Sequence, residues 1–449
     1  MSLPFIGRAD ELAVLEELAA SGRPEFFVLY GRRRVGKTEL LQRFCEPRRA
    51  VYFLAAQVRE KDNLEAYAEA LAEGTGDPLA QTVRFDDWPS ALAFTSERAG
   101  DERLVLVLDE FPYLCEANKG LPSQIQKFWD TKGKRSNLML VLCGSAVSFM
   151  EREVLAERSP LFGRRTAQRR LEPLAPADSL RFFEGWPLRD RVLAYSILGG
   201  MPAYLQRFDT RHDLATNLLR EVLRPQGYLF DEVSFLLRSE FNQPATYNSI
   251  LRAVARDAER VGDVAAEVGV DSTTANKYLH VLRELGLVQR TVPLTDPDPL
   301  RSRKGRYRIA DRFVAFHFRH VQTNLSLIEA GRGERVLEES VAPDFARLFD
   351  DAVVDFALHH VRREAGTLFG SEAVEVGRHD GANVRALARL ADERIVAIQI
   401  DGELESPRSE LEGELEALRR FAGSAPLRLR YGIGDDVESP LRVERPRSG

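Results

Sequence analysis

The strongest chemical signal in the 449-residue sequence is a glycine-rich segment that ends in lysine and threonine. Residues 31–38 read GRRRVGKT and match G-x-x-x-x-G-K-[ST] at every fixed position, directly after the apolar run at 26–30 and before a helical segment. Glycines let successive backbone N–H groups point at phosphate oxygens, and the helix adds the positive end of its dipole. The segment therefore predicts a phosphate-binding loop, in which Lys37 reaches the β- and γ-phosphates of a nucleotide and the Thr38 hydroxyl binds Mg²⁺.

Two carboxylates follow a second apolar run. Residues 104–108 read LVLVL and are followed by Asp109 and Glu110. Asp109 is suited to the magnesium shell, and Glu110 to polarising the attacking water as a general base. The alternative is a pair of solvated acids at the end of a strand, but the phosphate-binding loop upstream favours the catalytic interpretation. Together the two motifs predict an ATPase that uses ATP and Mg²⁺.

These motifs require a sheet that brings them to one edge. Apolar runs predict strands at 26–30, 50–54, 104–108, 138–143 and about 166–171, with helical segments between them. Strands joined by helical crossovers form a parallel, doubly wound α/β sheet. One strand lies between the two motif strands in sequence, and a glutamate follows Asp109. Both features favour the additional-strand class of ATPases over the GTPase or kinase-like class.

Later polar residues are candidates for sensing the γ-phosphate. In additional-strand ATPases a polar residue follows the next buried strand, and Ser145 occupies that place; the alternative is a strand-capping serine. An arginine finger that stabilises charge on the γ-phosphate, in cis or from a neighbour, is expected among Arg158, Arg164 and Arg165, with Arg164 as the chosen candidate. The alternative for these arginines is a solvated surface position.

The motifs together resemble the archaeal-type ATPase family, within the AAA+ and STAND-like P-loop NTPases, over nearly the whole chain. Besides the two motifs, the resemblance rests on residues 5–8 (FIGR), 143–145 (CGS), 159–166 (SPLFGRRT) and 199–204 (GGMPAY). It implies that Arg8 lies next to the nucleotide and that Pro202 is the lid proline that packs by the base. The expected nucleotide-binding residues are then Gly31, Arg34, Val35, Gly36, Lys37, Thr38, Glu39, Arg8 and Pro202.

The expected domains are a P-loop ATPase core (1–175), a helical lid (176–240), a winged helix (241–325) and an α/β domain (335–440). Residues 261–288 have a helix-turn-helix pattern, with a second helix capped by Ser272 or Thr273. The following hairpin is basic, since it contains Arg301, Arg303, Lys304, Arg306 and Arg308. Such a wing either contacts DNA phosphates or is a solvated hairpin on a domain used for packing.

The C-terminal order of helix, three strands, helix and strand resembles a restriction-endonuclease-like core. Active nucleases of this fold hold Mg²⁺ with an Asp and an E-x-K triplet on adjacent strands. Here Arg385 falls where the Asp is expected, and residues 399–401 (QID) fall where E-x-K is expected. Asp350 and Asp401 remain, so this domain is predicted to be an inactive nuclease with a binding or oligomerisation role.

Composition limits the other possibilities. The chain is 44% hydrophobic and 29% charged, a globular balance, and its net charge of −6 argues against a nucleic-acid coat protein. Three cysteines without CxxC spacing predict reduced thiols in a cytoplasmic protein, and no apolar run is long enough to span a membrane. The predicted function is an ATP-driven conformational switch. An ATP-gated DNA-binding regulator and an ATP-binding scaffold without turnover remain alternatives, and a homo-oligomer stays open.

Overall fold

The computed structural model describes residues 5–296, 302, 304–379, 381–401, 408–422 and 425–432. The chain forms two compact units. Among the described residues, the first unit contains residues 7–173, and the second contains those from Leu174 onwards together with Phe5 and Ile6. Among the described residues, no helix has both the length and the apolar character needed to cross a bilayer.

A five-stranded parallel sheet forms the centre of the first unit. Its strands are β1 (Glu25–Tyr30), β2 (Ala50–Leu54), β3 (Leu104–Asp109), β4 (Leu138–Gly144) and β5 (Ala167–Arg170). Their order is β2-β3-β4-β1-β5. Every residue of β1, β3 and β4 is buried, which explains why these strands are apolar without alternation. The predicted fold class is confirmed, and β4 is the strand added between the two motif strands within the sheet.

Helices connect the strands and cover this sheet. They are α1 (Ala9–Ala20), α2 (Lys37–Cys45), α3 (Glu60–Thr75), α4 (Trp88–Ala99), α5 (Phe111–Ala117), α6 (Leu121–Thr131) and α7 (Val147–Phe149). Asp87 begins α4 by accepting a hydrogen bond from the Ser90 backbone N–H at 2.8 Å. The rings of Phe53, Tyr67 and Trp88 pack together between the sheet and these helices.

The second unit begins with helices in the segment predicted to be helical. They are α8 (Pro176–Leu180), α9 (Leu188–Leu198), α10 (Pro202–Leu205), α11 (Leu214–Glu221) and α12 (Glu232–Glu240). The winged helix follows. It consists of α13 (Pro244–Ala255), α14 (Val261–Val268), α15 (Ser272–Glu284), β6 (Val288–Thr291) and β7 (Arg306–Ile309). The residue that caps α15 is Asp271, which accepts from the Thr274 N–H at 2.9 Å, and not Ser272 or Thr273.

The remainder of the unit is a second α/β arrangement. Its helices are α16 (Arg312–Phe316), α17 (Leu325–Glu329), α18 (Gly333–Val336), α19 (Phe345–Phe369) and α20 (Arg408–Ala422). Its strands are β8 (Ala373–Arg378), β9 (Val384–Leu390), β10 (Ile395–Asp401) and β11 (Leu427–Gly432). The sheet order is β11-β10-β9-β8, and only the β10–β11 pair is parallel among the described strands of this sheet. One apolar face of α19 packs on this sheet through Val353, Val354 and Phe356, and these side chains share a core with Val396 and Ile398.

Candidate nucleotide-binding site

The glycine-rich segment forms a turn between β1 and α2 with several left-handed residues. Arg34 has φ 68° and Gly36 has φ 93°, so the backbone coils back on itself before Lys37 begins the helix. A Cβ on Gly31 would lie 2.5 Å from the carbonyl oxygen of Leu171, and so only glycine is tolerated there. A loop of this shape at a helix N-terminus presents backbone N–H groups to an anion.

The Lys37 ammonium lies across the loop. Its side chain is buried, and Nζ donates to the carbonyl oxygens of Gly31 at 2.8 Å and Arg32 at 3.1 Å. The loop therefore holds the cation close to the same N–H groups that would face phosphate oxygens. Val35 is fully buried beneath the loop, whereas Glu39 is exposed in the first turn of α2.

Asp109 is held by three donors at the carboxyl end of β3. Its Oδ2 accepts from the Thr38 hydroxyl at 2.8 Å and from the Tyr52 hydroxyl at 2.6 Å, while Oδ1 accepts from the Glu110 backbone N–H at 2.9 Å. Burial and the neighbouring Asp109 carboxylate raise the pKa of Tyr52, so this phenol stays protonated and donates. Sequence reasoning missed Tyr52, because its place beside Asp109 depends on the pairing of β2 with β3.

The oxygens of Thr38 and Asp109 fit a magnesium ion. Two adjacent ligands of an octahedral Mg²⁺, each at about 2.1 Å, lie about 3.0 Å apart. The observed separation of 2.8 Å between Thr38 Oγ1 and Asp109 Oδ2 is close to that value. A hydroxyl and a carboxylate beside a phosphate-binding loop are the protein ligands that Mg²⁺ takes when phosphates and waters complete its shell.

Glu110 lies at the start of α5, directly beside Asp109. Its backbone is left-handed, with φ 52°, and its Oε2 accepts from the Ser145 hydroxyl at 2.8 Å. Ser145 is buried just after β4, and the parallel pairing of β3 with β4 brings the two strand ends together. The hydroxyl predicted to sense the γ-phosphate is thus a partner of the predicted base.

Arg8 supports the loop from the N-terminal side. The residue is buried with φ 67°, and its Nη2 donates to the carbonyl oxygen of Val35 at 2.8 Å. Its Nη1 also contacts Glu11 at 3.3 Å. These contacts connect the N-terminal FIGR motif to the phosphate-binding loop. A direct contact of Arg8 with nucleotide stays a prediction.

The candidate finger arginines contact other parts of the first unit. Arg164 forms an ion pair with Asp130 of α6 at 3.1 Å, and Arg165 donates to the carbonyl oxygen of Leu155 at 3.2 Å. Arg158 is largely exposed and lies 3.9 Å from Glu153. Pro202 belongs to the second unit, where it is the first residue of α10. The roles of Arg164 and Pro202 stay predictions.

The three cysteines are free and buried. Burial raises the pKa of Cys45 to about 12, and burial together with Asp109 raises the pKa of Cys143 on β4. Thiols with such raised pKa values are protonated at neutral pH and are weak nucleophiles. Cys45 and Cys143 are therefore not candidates for a nucleophilic role at neutral pH.

Among the described cations of the basic wing, Lys304 and Arg306 are exposed and Arg308 is partly buried. Arg306 pairs with Glu259 at 2.7 Å, and the exposed Lys304 lies 3.8 Å from Asp296. Arg308 is not on a solvated face, since it lines a cavity beside Asp351 and Asp355. Arg301 and Arg303 lie outside the described residues.

In the C-terminal sheet, Arg385 lies 3.8 Å from Asp351. The carboxylate on α19 beside Arg385 is therefore Asp351, whereas the acidic residue named from sequence on this helix is its neighbour Asp350. Asp350 is buried, and Asp401 forms a hydrogen bond with Arg430 at 2.6 Å. The nuclease-like core stays a prediction.

Comparisons with known proteins agree with this site. Residues 5–208 match the model of an ATPase domain predominantly from Archaea, and residues 249–291 match that of an IclR helix-turn-helix domain. The chain is 33% identical over 327 residues to the uncharacterized protein MJECL04 of Methanocaldococcus jannaschii, covering 73% of this chain and 71% of that protein. It is also 45% identical over 42 residues to the uncharacterized ATP-binding protein MJ0423 of the same organism, covering 9% of this chain and 71% of that protein.

Among solved structures, the Walker-type ATPase PABY2304 of Pyrococcus abyssi is similar in fold. The TM-score is 0.54 with 20% identity, over 70% of this chain and 96% of that one. The length and identity of the match to the jannaschii protein, together with the ATPase model that begins at Phe5, establish the family. The chain belongs to the family of ATPases found predominantly in Archaea, and it carries a helix-turn-helix domain after the ATPase domain.

Proposed function

We propose that the protein binds ATP with Mg²⁺, hydrolyses it, and uses the difference between the ATP and ADP states as a conformational switch. The observation that carries this proposal is the arrangement of two adjacent carboxylates. Asp109 accepts from the Thr38 hydroxyl at 2.8 Å, and Glu110 accepts from the Ser145 hydroxyl at 2.8 Å. Asp109 is thereby directed toward the phosphate-binding loop, and Glu110 is held beside it, where it can act on the attacking water.

Each residue then has a separate role. The loop N–H groups and Lys37 bind the phosphates, and the oxygens of Thr38 and Asp109 would hold Mg²⁺. When bound, Mg²⁺ neutralises charge on the β- and γ-phosphates. Glu110 accepts a proton from water as general base, and the Ser145 hydroxyl orients its carboxylate. Tyr52 keeps Asp109 in place by donating to the same oxygen as the Thr38 hydroxyl.

Arg164 is proposed as the arginine finger of a neighbouring copy. In the chain itself it pairs with Asp130, and 31% of its side chain is exposed. A partly exposed guanidinium with a single carboxylate partner can exchange that partner for a phosphate of another subunit. This role requires a homo-oligomer, which mass measurement with ATP and with ADP would detect.

The deciding experiment is steady-state phosphate release by the purified chain with MgATP. Turnover that requires Mg²⁺ and is lost in Glu110→Gln, while ATP still binds, supports an ATPase. ATP binding without turnover in the unaltered chain would instead support the alternative of an ATP-binding scaffold. Turnover that Glu110→Gln leaves intact would remove Glu110 from the mechanism.

A second candidate function is ATP-gated DNA binding. It is favoured by the helix-turn-helix match at residues 249–291 and by the exposed face of α15, where Lys277 and His280 lie. That face is only weakly basic, because His280 lies 3.2 Å from Glu284. Fluorescence anisotropy with labelled duplex DNA, in ADP and in ATP with Glu110→Gln, would test it. An affinity that differs between nucleotides and falls steeply with salt is the expected result.

A further inference from the structure

The second unit contains a cavity of about 110 Å³ between the wing and the C-terminal domain. One liquid water occupies roughly 30 Å³, and so the cavity has room for a ligand larger than a single water. Its walls come from β7, α16, α19 and β8. The cavity is lined by the arginines Arg308, Arg312, Arg319, Arg347 and Arg378.

The arginines outnumber the carboxylates around them. Asp351 and Asp355 are the carboxylates that line the cavity. Arg312 donates through Nε to Asp355 at 2.9 Å, and Arg378 contacts Asp351 at 3.1 Å. Five guanidinium groups against two carboxylates leave an excess of positive charge, even though Arg347 also pairs with Asp344 outside the cavity.

This excess positive charge is partly buried. Only 12% of the Arg312 side chain and 13% of the Arg378 side chain are exposed. Burying a charge is unfavourable unless the charge is paired. The main partner of Arg308 is neutral. The side-chain amide of Gln289 is oriented with its oxygen toward Arg308, and this oxygen accepts from the guanidinium group.

Two further observations indicate that two of these cations, Arg308 and Arg378, are incompletely paired. The pKa of Arg308 is lowered to about 9, mainly by burial and secondly by the positive charge of nearby Arg378. An arginine with a full ion pair keeps its high pKa. The buried Nε of Arg378 has no hydrogen-bond partner among the described residues. Buried polar atoms normally have a partner, and an atom without one often marks the place where an ion or a water binds.

We propose that this cavity binds a phosphate group. Guanidinium groups bind such oxyanions through paired N–H donors, and several of them around one small cavity match the charge of a phosphate dianion. The group is either a free phosphate ion or a terminal phosphate of a nucleic-acid strand, since both present the same oxygens. Bound there, it would connect the wing (Arg308) to α19 (Arg347) and β8 (Arg378).

The test must separate this cavity from the phosphate-binding loop. Lys37→Ala is therefore the background in every arm, because it weakens phosphate binding by the loop. Binding of inorganic phosphate to the full chain is measured by ³¹P NMR line broadening and by calorimetry, at constant ionic strength set with chloride. The cavity variant is Arg308→Gln, which leaves the Arg312–Asp355 and Arg378–Asp351 pairs in place.

The matched control is Arg335→Gln. Arg335 is an exposed arginine on α18 that pairs with Glu339 in the turn that follows. We expect saturable phosphate binding in the Lys37→Ala background and a dissociation constant at least about tenfold higher with Arg308→Gln, the size of one lost charge-assisted contact. Arg335→Gln should leave it unchanged. The absence of saturable binding in the background, or equal affinities in the two variants, would overturn the proposal. Circular dichroism tests whether Arg308→Gln is folded. If that variant is unfolded, Arg308→Lys takes its place.

The source of the phosphate follows from competition. An oligonucleotide with a 5′-phosphate that displaces the free ion, when the same oligonucleotide with a 5′-hydroxyl does not, assigns the cavity to a nucleic-acid end. Failure of both oligonucleotides to compete, with phosphate still bound, assigns it to the free ion. The outcome is independent of ATP turnover, because the background variant already lacks the loop lysine.

Discussion

The phenolic hydroxyl of Tyr52 donates to Oδ2 of Asp109 at 2.6 Å, on the same oxygen that accepts from Thr38. Tyr52 lies on β2 and Asp109 ends β3, and the parallel pairing of these strands brings the two side chains together. The carboxylate is therefore oriented by a neighbouring strand as well as by the helix that follows the phosphate-binding loop. A metal-binding carboxylate held in this way has fewer orientations available to it.

We expect Tyr52→Phe to weaken the apparent affinity for Mg²⁺ in ATP hydrolysis by about tenfold, the usual scale for a residue that orients a metal ligand. The measurement is a magnesium titration of turnover at saturating ATP. The control is Tyr67→Phe, which removes another buried hydroxyl, bonded to Thr95, from the same unit. Equal magnesium dependence in both variants would show that Tyr52 is only a packing residue.

Lys37→Ala should weaken ATP binding at least about tenfold and abolish turnover, since the loss of a charge-assisted contact is worth roughly 1.5–3 kcal/mol. The buried Nζ of Lys37 donates hydrogen bonds to the carbonyl oxygens of Gly31 and Arg32 in the loop. Calorimetry with ATP and a phosphate-release assay measure both effects. Lys61→Ala, at an exposed lysine of α3, is the control. Turnover at the unaltered rate in Lys37→Ala would refute the assignment of the loop.

Glu110→Gln should keep ATP bound and slow hydrolysis by about 10² or more, the usual contribution of a positioned base. Glutamine preserves the size of the side chain and an acceptor for the Ser145 hydroxyl but cannot take a proton from water. Single-turnover hydrolysis separates the chemical step from binding. The matched control is Glu116→Gln, at an exposed glutamate on the same helix. A variant with lost affinity and normal turnover number would contradict the role.

Replacement of Arg301, Arg303, Lys304 and Arg306 by glutamine should leave basal ATP turnover unchanged. If the wing contacts DNA, the slope of log affinity against log salt should fall by up to about one unit for each lost phosphate contact. Anisotropy titrations at several salt concentrations provide the slope, with Arg220→Gln on α11 as control. An unchanged slope would favour a wing used for packing, as the Arg306–Glu259 pair already indicates for one cation.

Incubation of the purified chain with plasmid or single-stranded DNA and Mg²⁺ or Mn²⁺ should produce no cleavage. Arg385 puts a positive charge beside Asp351. This charge would repel a divalent ion at the place where the nucleases that the domain resembles in sequence order hold one. Cleavage that disappears with Asp351→Asn or Asp401→Asn would show that the domain is an active nuclease. Cleavage that persists in both variants would come from another site or a contaminant.

The sequence alone determined the parallel sheet and the nucleotide-binding edge, because both depend on local patterns. Continuous apolar runs such as 104–108 are typical of a strand covered on both faces, and the GxxxxGKT spacing is typical of one turn before one helix. Asp109 and Glu110 were identified because they follow such a run directly. The predicted caps of α15, Ser272 or Thr273, lie one or two positions too late, since aspartate, serine and threonine are all good caps and only backbone geometry distinguishes them.

The tertiary structure decided which residues meet across elements that are distant in sequence. Tyr52 reaches Asp109, and Ser145 reaches Glu110, only because β2 and β4 lie on either side of β3 in the sheet. Arg308 reads in sequence as one more cation of a basic hairpin, yet it lines a cavity with Arg378, 70 positions further along the chain. Local patterns determine the type of element and its buried face. The neighbours of a side chain depend on strand order and helix packing, which are set by the burial of all the apolar faces together.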